Sequence, residues 1–258
     1  MGIFDTHAHY SDEAFDNDRY ELLSKMNDEG VDNIVEIGDC IERSKKAIEI
    51  AKDFDFIHAA CGIHPECVDD VTEDDFIILE DMIKNKNENK IVAIGEIGLD
   101  YYYTKDNKEK QIEVFKRQLD LAIKYDMSVV IHTRDASQDT FEIVKEYCSK
   151  GLRGIVHCFS ESVELAKEYE KLGMYIGIGG VLTFKNGRKL AEVVNELDMK
   201  NFVLETDSPY LSPEPHRGER NDSRNIKFVV DKICEIKNIS KEEVLEITTN
   251  NAKKIYNL

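Results

Sequence analysis

From Ile91 to His132 the chain reads IVAIGEIGLDYYYTKDNKEKQIEVFKRQLDLAIKYDMSVVIH, and the two ends of this stretch are alike. Residues 91–97 and 128–132 are short apolar runs rich in β-branched side chains, as expected of strands covered on both faces. Between them, Ile112, Phe115, Leu119, Ala122 and Ile123 recur at helical spacing across 108–125. A strand, an amphipathic helix and a second strand make a βαβ unit, whose two strands run parallel. The same alternation fills the chain. Further strands are expected at 2–7, 33–38, 56–62, 154–157, 175–178 and 202–206, and helices near 223–236 and 241–256 close the sequence. Eight strands, each followed by a helix, predict an α/β fold of the TIM-type (β/α)8 barrel class, as a single domain over residues 1–258. The competing architecture is an open doubly wound sheet. It would place function at a glycine-rich turn after the first strand, and Thr6-His7-Ala8-His9 is not one.

Composition agrees with that class. The 258 residues are the usual size of one β/α barrel. A chain of this length buries roughly 70–75% of its unfolded surface, so folding needs neither disulfides nor a structural metal. Only four prolines occur, and no linker or low-complexity run divides the chain. No segment approaches the ~20 apolar residues that span a bilayer. The first residues lack the basic and apolar regions of a signal peptide, so none is expected. The six cysteines, Cys40, Cys61, Cys67, Cys148, Cys158 and Cys234, form no C-x-x-C pair. Reduced, mostly buried thiols and a cytoplasmic location are therefore expected. The formal net charge of −18 argues against a basic footprint for duplex nucleic acid. Either the substrate is small, or a polyanion is gripped locally by metal ions and a few arginines.

In a β/α barrel, functional residues fall at the C-terminal ends of strands. His7 and His9 are expected to end the first strand, Glu96 the fourth, His132 the fifth, His157 the sixth and Asp207 the eighth. Any one of these histidines reads as readily as a hydrogen-bonded structural residue. Four histidines and two carboxylates together read as a metal site. Imidazoles and carboxylates suit Zn, Mn, Fe or Co, and Mg where water completes the shell. Six ligands exceed what one tetrahedral ion needs, so two divalent cations are expected. A carboxylate such as Glu96 can bridge a pair about 3.5–4 Å apart. Asp207 is then both ligand and general base.

These residues also carry a resemblance. His7-x-His9, Gly95-Glu96-Ile97-Gly98-Leu99-Asp100-Tyr101, Ile131-His132-Thr133-Arg134, His157-Cys158-Phe159-Ser160 and Glu205-Thr206-Asp207-Ser208-Pro209 resemble, in order, the TatD-type metal-dependent deoxyribonucleases of the wider amidohydrolase group. The resemblance covers nearly the whole chain. It implies divalent-metal-dependent hydrolysis of phosphodiester bonds in DNA, with a 3′→5′ exonuclease tendency in some members; two divalent ions (Mg, Mn or Zn), DNA bound as single strands or ends, and no obligate protein partner are expected with it. It implies that His7, His9, Glu96 and Asp207 hold one metal, and Glu96, His132 and His157 the other. Many amidohydrolases have a carboxylated lysine on the fourth strand, where this chain has Glu96. The alternative is the same metal site acting on an ester or amide bond, such as aminoacyl-tRNA deacylation.

Beyond the ligands, Gly62-Ile63-His64-Pro65 matches the family, and His64 is either a substrate phosphate contact or a turn histidine. Arg134 pairs with phosphate or with a carboxylate such as Glu205, which is itself expected behind a ligand, sharing strand parity with Asp207. The polar loop 213–221 holds the family's R-G-x-x-N pattern as Arg217, Gly218 and Asn221, making Arg217 a phosphate contact. Ser223 replaces a common proline and Glu161 a common glycine. Tyr101, Tyr102 and Tyr103 read as rim packing or as base-stacking residues. Gly177, Gly179 and Gly180 read as turn residues, His58 as a packed one, and the acidic run 73–75 as a helix start.

Overall fold

The computed structural model describes residues 1–103 and 106–258. Strand order in the sheet follows chain order from the first strand to the eighth. The chain divides into two compact units, Met1–Glu36 with His157–Leu258, and Ile37–Val156.

The first unit contains β1 (Ile3–Ala8), helix α1 (Arg19–Leu23) and most of β2 (Val31–Gly38). After His157 come α6 (Val163–Lys171), β7 (Tyr175–Ile178), α7 (Arg188–Glu196), β8 (Phe202–Leu204), α8 (Ile226–Lys237) and α9 (Lys241–Tyr256). Strand β1 pairs parallel with β2 from Ile3↔Val31 to Ala8↔Glu36, and β7 pairs parallel with β8 through Ile176↔Phe202 and Ile178↔Leu204. Every residue of β1, β7 and β8 is buried, which is why these strands show no alternation of polar and apolar residues. The closing helix is set by local chemistry. Ser240 accepts the Glu243 amide at its start, Val244, Thr248, Ala252 and Ile255 turn one face inward, and Asn257 ends it in the left-handed conformation.

The second unit runs α2 (Ile41–Asp53), β3 (Ile57–Cys61), α3 (Glu73–Lys84), β4 (Ile91–Asp100), α4 (Lys108–Tyr125), β5 (Ser128–Arg134), α5 (Ser137–Cys148) and β6 (Gly154–Val156). Strands β3, β4, β5 and β6 pair parallel in that order. Thr72 and Asp75 form a capping box at the start of α3, so the acidic run is a helix start as expected. His58 sits half-buried in β3, where burial and Lys90 push its pKa down to about 4, keeping it neutral.

Two expectations shift. Strand β4 does not stop at Ile97 but continues to Asp100, pairing Gly98↔His132, Leu99↔Thr133 and Asp100↔Arg134. Glu96 and His132 therefore lie inside their strands. The inward face of α4 is also rotated. Gln111, Val114, Phe115, Gln118, Leu119 and Ala122 are buried, whereas Ile112 and Ile123 sit at its edges. No disulfide forms among the described residues; Cys61 is buried and the other five cysteines are half-buried, more exposed than expected. Among the described residues, no helix is long and apolar enough to cross a membrane.

Candidate functional site

Alternation along β1 aims His7 and His9 to the same side. Their Nε2 atoms stand 3.0 Å apart, with Asp207 Oδ1 at 3.6 Å from the first and 3.4 Å from the second. Two nitrogens bound to one ion at about 2.1 Å are separated by roughly 3.0–3.4 Å, so the imidazole pair fits a divalent cation. Asp207 lies three residues past β8, at a left-handed φ of 56°, and its amide donates to the His7 carbonyl at 2.9 Å. Burial raises the Asp207 pKa, but the facing His9, His7 and His157 outweigh it and hold the carboxyl below its ordinary value.

His157 follows β6 directly and stacks on His7, with centroids 4.0 Å apart and planes within 9°. Glu205 Oε1 accepts the Cys158 amide at 2.5 Å and stands 3.8 Å from His157 Nδ1. His7, His157 and Glu205 thus form a second set of ligand atoms, all within 4.8 Å of one another. Burial pushes the Glu205 carboxyl up to about 7. A Cβ on Gly177 would fall 2.2 Å from Glu205 Oε2, so this glycine makes room for the carboxylate instead of turning the chain.

A buried scaffold lies behind these residues. Asp5 accepts hydrogen bonds from Thr206 Oγ1 at 2.7 Å, Ser223 Oγ at 2.6 Å, the Thr206 amide at 3.1 Å and the His7 amide at 3.2 Å. One carboxylate therefore ties β1 to the segment leading into Asp207. Ser223 is held from both sides, its hydroxyl donating to Asp5. Its amide donates to Tyr10 Oη at 2.9 Å, a bond proline cannot make. Glu36, fully buried, accepts the Tyr10 and Ser11 amides at 2.7 Å each. Asn221 donates to the Thr206 and Tyr210 carbonyls, holding the turn that carries Asp207.

In the second unit the group is Glu96, His132 and His64. His132 Nδ1 stands 2.8 Å from Glu96 Oε1, and its Nε2 stands 3.0 Å from Asp100 Oδ2. Burial works against the charge on His132, yet Asp100 and Glu96 push its pKa up to about 9. A carboxylate behind an imidazole is the arrangement that orients histidine ligands. His64 Nε2 is 3.6 Å from Glu96 Oε1, close enough to count among the possible ligands. Its Nδ1 already accepts the Glu66 amide at 3.2 Å. A neutral His64 therefore carries its hydrogen on Nε2 and presents a donor, which suits an anionic oxygen better than a cation.

Two buried glutamines on α4, one heptad apart, hold this group in place. The Gln118 amide bonds both backbone groups of Ile63, at 2.8 and 3.0 Å, next to His64. The Gln111 amide does the same for Asp100, at 2.9 and 2.8 Å.

Comparison with known proteins joins this geometry to a family. A sequence model of the family described as TatD related DNase matches residues 4–257. The chain belongs to the TatD family. It is 40% identical over 256 residues to the metal-dependent hydrolase YabD of Bacillus subtilis, covering 99% of both chains. It is 30% identical over 261 residues to YcfH of Escherichia coli, also named a metal-dependent hydrolase, covering 100% of this chain and 97% of that one. The crystal structure of YJJV, a TatD homologue from Escherichia coli, superposes with a TM-score of 0.92 at 27% identity, covering 99% and 98% of the two chains. This TatD-family chain is thus a metal-dependent hydrolase of an enzyme family that acts on ester bonds, and its fold class is the β/α barrel expected from the sequence.

The structure brings His7, His9 and Asp207 together, and likewise Glu96 and His132, while His157 joins His7 and Glu205. The exposed Arg134 lies with its guanidinium 3.7 Å over the Tyr102 ring. Arg217 is also exposed, 3.7 Å over Phe184, and donates to the Ser212 carbonyl at 3.3 Å. Sequence reading missed Asp5, Glu36, Asp100, Gln111 and Gln118. For the glutamines a signal existed: two amides seven residues apart on the apolar face of α4.

Proposed function

We propose that this protein is a divalent-metal-dependent deoxyribonuclease that hydrolyses phosphodiester bonds of single strands or strand ends, with 3′→5′ polarity. The observation that carries the reading is the convergence of His7 Nε2, His9 Nε2 and Asp207 Oδ1 on one point, a donor set suited to Mg, Mn or Zn. His7, His9 and Asp207, with His157 and Glu205 beside them, hold one ion, and Glu96 with His132 holds another. Such ions supply Lewis-acid polarisation of the phosphoryl oxygens and make water acidic enough to attack at neutral pH. Asp207, kept ionised by the neighbouring histidines, takes up the proton of the attacking water. The Nε2–H of His64 donates to a non-bridging phosphoryl oxygen, and Arg134 and Arg217 bind flanking phosphates. Six thiols outside disulfides suit a reducing compartment, and the cytoplasm is the proposed location.

The net charge of −18 favours one rival, hydrolysis of an ester or amide bond in a smaller substrate, including an aminoacyl ester of tRNA. A panel separates them. The metal-loaded protein is incubated with 5′-labelled single-stranded DNA, the matching duplex and an aminoacyl-tRNA. The expected result is shortening of the single strand from its 3′ end, stopped by a chelator. Release of the amino acid with the DNA left intact would establish the rival.

A further inference from the structure

Tyr101, Tyr102 and Tyr103 leave β4 together and then part. Tyr101 is buried, donates its hydroxyl to Asp139 at 2.9 Å and has Lys108 Nζ 3.8 Å from its ring centre. That residue is packing. Tyr102 and Tyr103 are 56% and 64% exposed, with their rings edge to face at 4.9 Å. They are nevertheless held. Asp100 Oδ1 accepts both of their amides, at 2.8 and 3.4 Å. The Arg134 guanidinium covers one face of Tyr102 and lies 5.0 Å from the centre of Tyr103, whose hydroxyl accepts from Arg134 Nη1 at 3.3 Å. The other oxygen of Asp100 faces His132 Nε2 at 3.0 Å. A single carboxylate thus holds the backbone that carries two exposed aromatic rings and, through its other oxygen, a proposed metal ligand.

Aromatic rings are among the groups most stabilised by burial. Two neighbouring rings kept in solvent by defined hydrogen bonds, with a guanidinium beside them, suit a ligand with a flat face and an anionic linker. An unpaired nucleobase on its phosphate has both. We propose that Tyr102, Tyr103 and Arg134 form a stacking site for an unpaired base of single-stranded DNA beside His132, the rings stacking on the base and Arg134 pairing with its phosphate. This deepens the nuclease reading and rests on it for the identity of the strand. It also meets the difficulty of the charge. A chain at −18 gains little from phosphate neutralisation, whereas stacking does not depend on net charge.

The test uses the metal-loaded protein and a fluorescein-labelled hexathymidylate with phosphorothioate linkages, with binding read by anisotropy, alongside the same backbone made abasic. Wild type is expected to prefer the intact strand by about tenfold or more, the loss typical of one base–aromatic stack. That preference should persist as salt is raised. The Tyr102→Ala/Tyr103→Ala pair should lose it, binding both strands equally, and the Tyr102→Phe/Tyr103→Phe pair should keep it. The proposal is overturned if wild type does not distinguish the two strands, or if the alanine pair still prefers the intact one. It is overturned equally if the alanine pair weakens both strands by the same factor, which would assign the tyrosines to propping His132. Failure of the nuclease reading shows separately, as an intact-strand preference in wild type that hydrolyses no phosphodiester-linked DNA.

Discussion

Replacing Asp207 by asparagine is expected to slow metal-dependent hydrolysis by at least about a thousandfold, within the range lost when a general base is removed. The substitution removes the base, and with it the negative charge offered to the ion, while sparing the fold. Asparagine has nearly the same size and tolerates the left-handed φ of 56° that Asp207 adopts, so the local backbone can stay as it is. The amide bond to the His7 carbonyl and the turn to Tyr210 use only backbone atoms and survive. What changes is the carboxylate oxygen 3.4 Å from His9 and 3.6 Å from His7, which becomes a neutral amide. Steady-state rates at saturating metal, set beside a circular dichroism melt, give the comparison. A protein that melts like wild type and turns over like wild type would remove Asp207 from the mechanism.

The second large effect concerns folding. Gly98→Ala is expected to destabilise the protein by about 2–4 kcal/mol and to cut activity as well. A Cβ at this position would lie 1.9 Å from the His132 carbonyl oxygen, where φ is also +151°. The obstacle is backbone, so no side chain can swing aside. Strands β4 and β5 would have to part where Gly98 pairs with His132, between Glu96 and Asp100, the two carboxylates that flank the His132 ring. Gly151→Ala is the control. Its φ of +98° is equally unusual, but a Cβ there meets nothing within 4 Å, so strain alone predicts a loss of about 1 kcal/mol. Urea unfolding of both variants measures the difference. Equal midpoints would show that the approach of β4 to His132 imposes no constraint.

Much of this was legible in the chain because buried parallel strands announce themselves as apolar runs. The strands at 175–178 and 91–97 begin where expected, and His7-x-His9 does aim two rings at one point. The failures share a physical cause. The extension of β4 to Asp100 depends on Gly98 approaching His132, and a glycine in a strand reads equally as a break. Glu205 and Asp207 do meet around His7, but not through strand parity, because β8 ends at Leu204. Both carboxylates reach His7 through the irregular chain that follows. Asp5, Gln111 and Gln118 act by bonding to backbone groups 11 to 201 residues away. Such bonds leave no periodic trace, because the partner is a main-chain atom that any residue supplies.

The most direct measurement is an anomalous difference map from crystals grown with manganese and an oligonucleotide. Metal-dependent hydrolysis by these residues predicts one peak within about 2.0–2.6 Å of His7 Nε2, His9 Nε2 and Asp207 Oδ1, and another on Glu96 and His132. Absence of both peaks, in a protein whose hydrolysis persists after chelation, would contradict it.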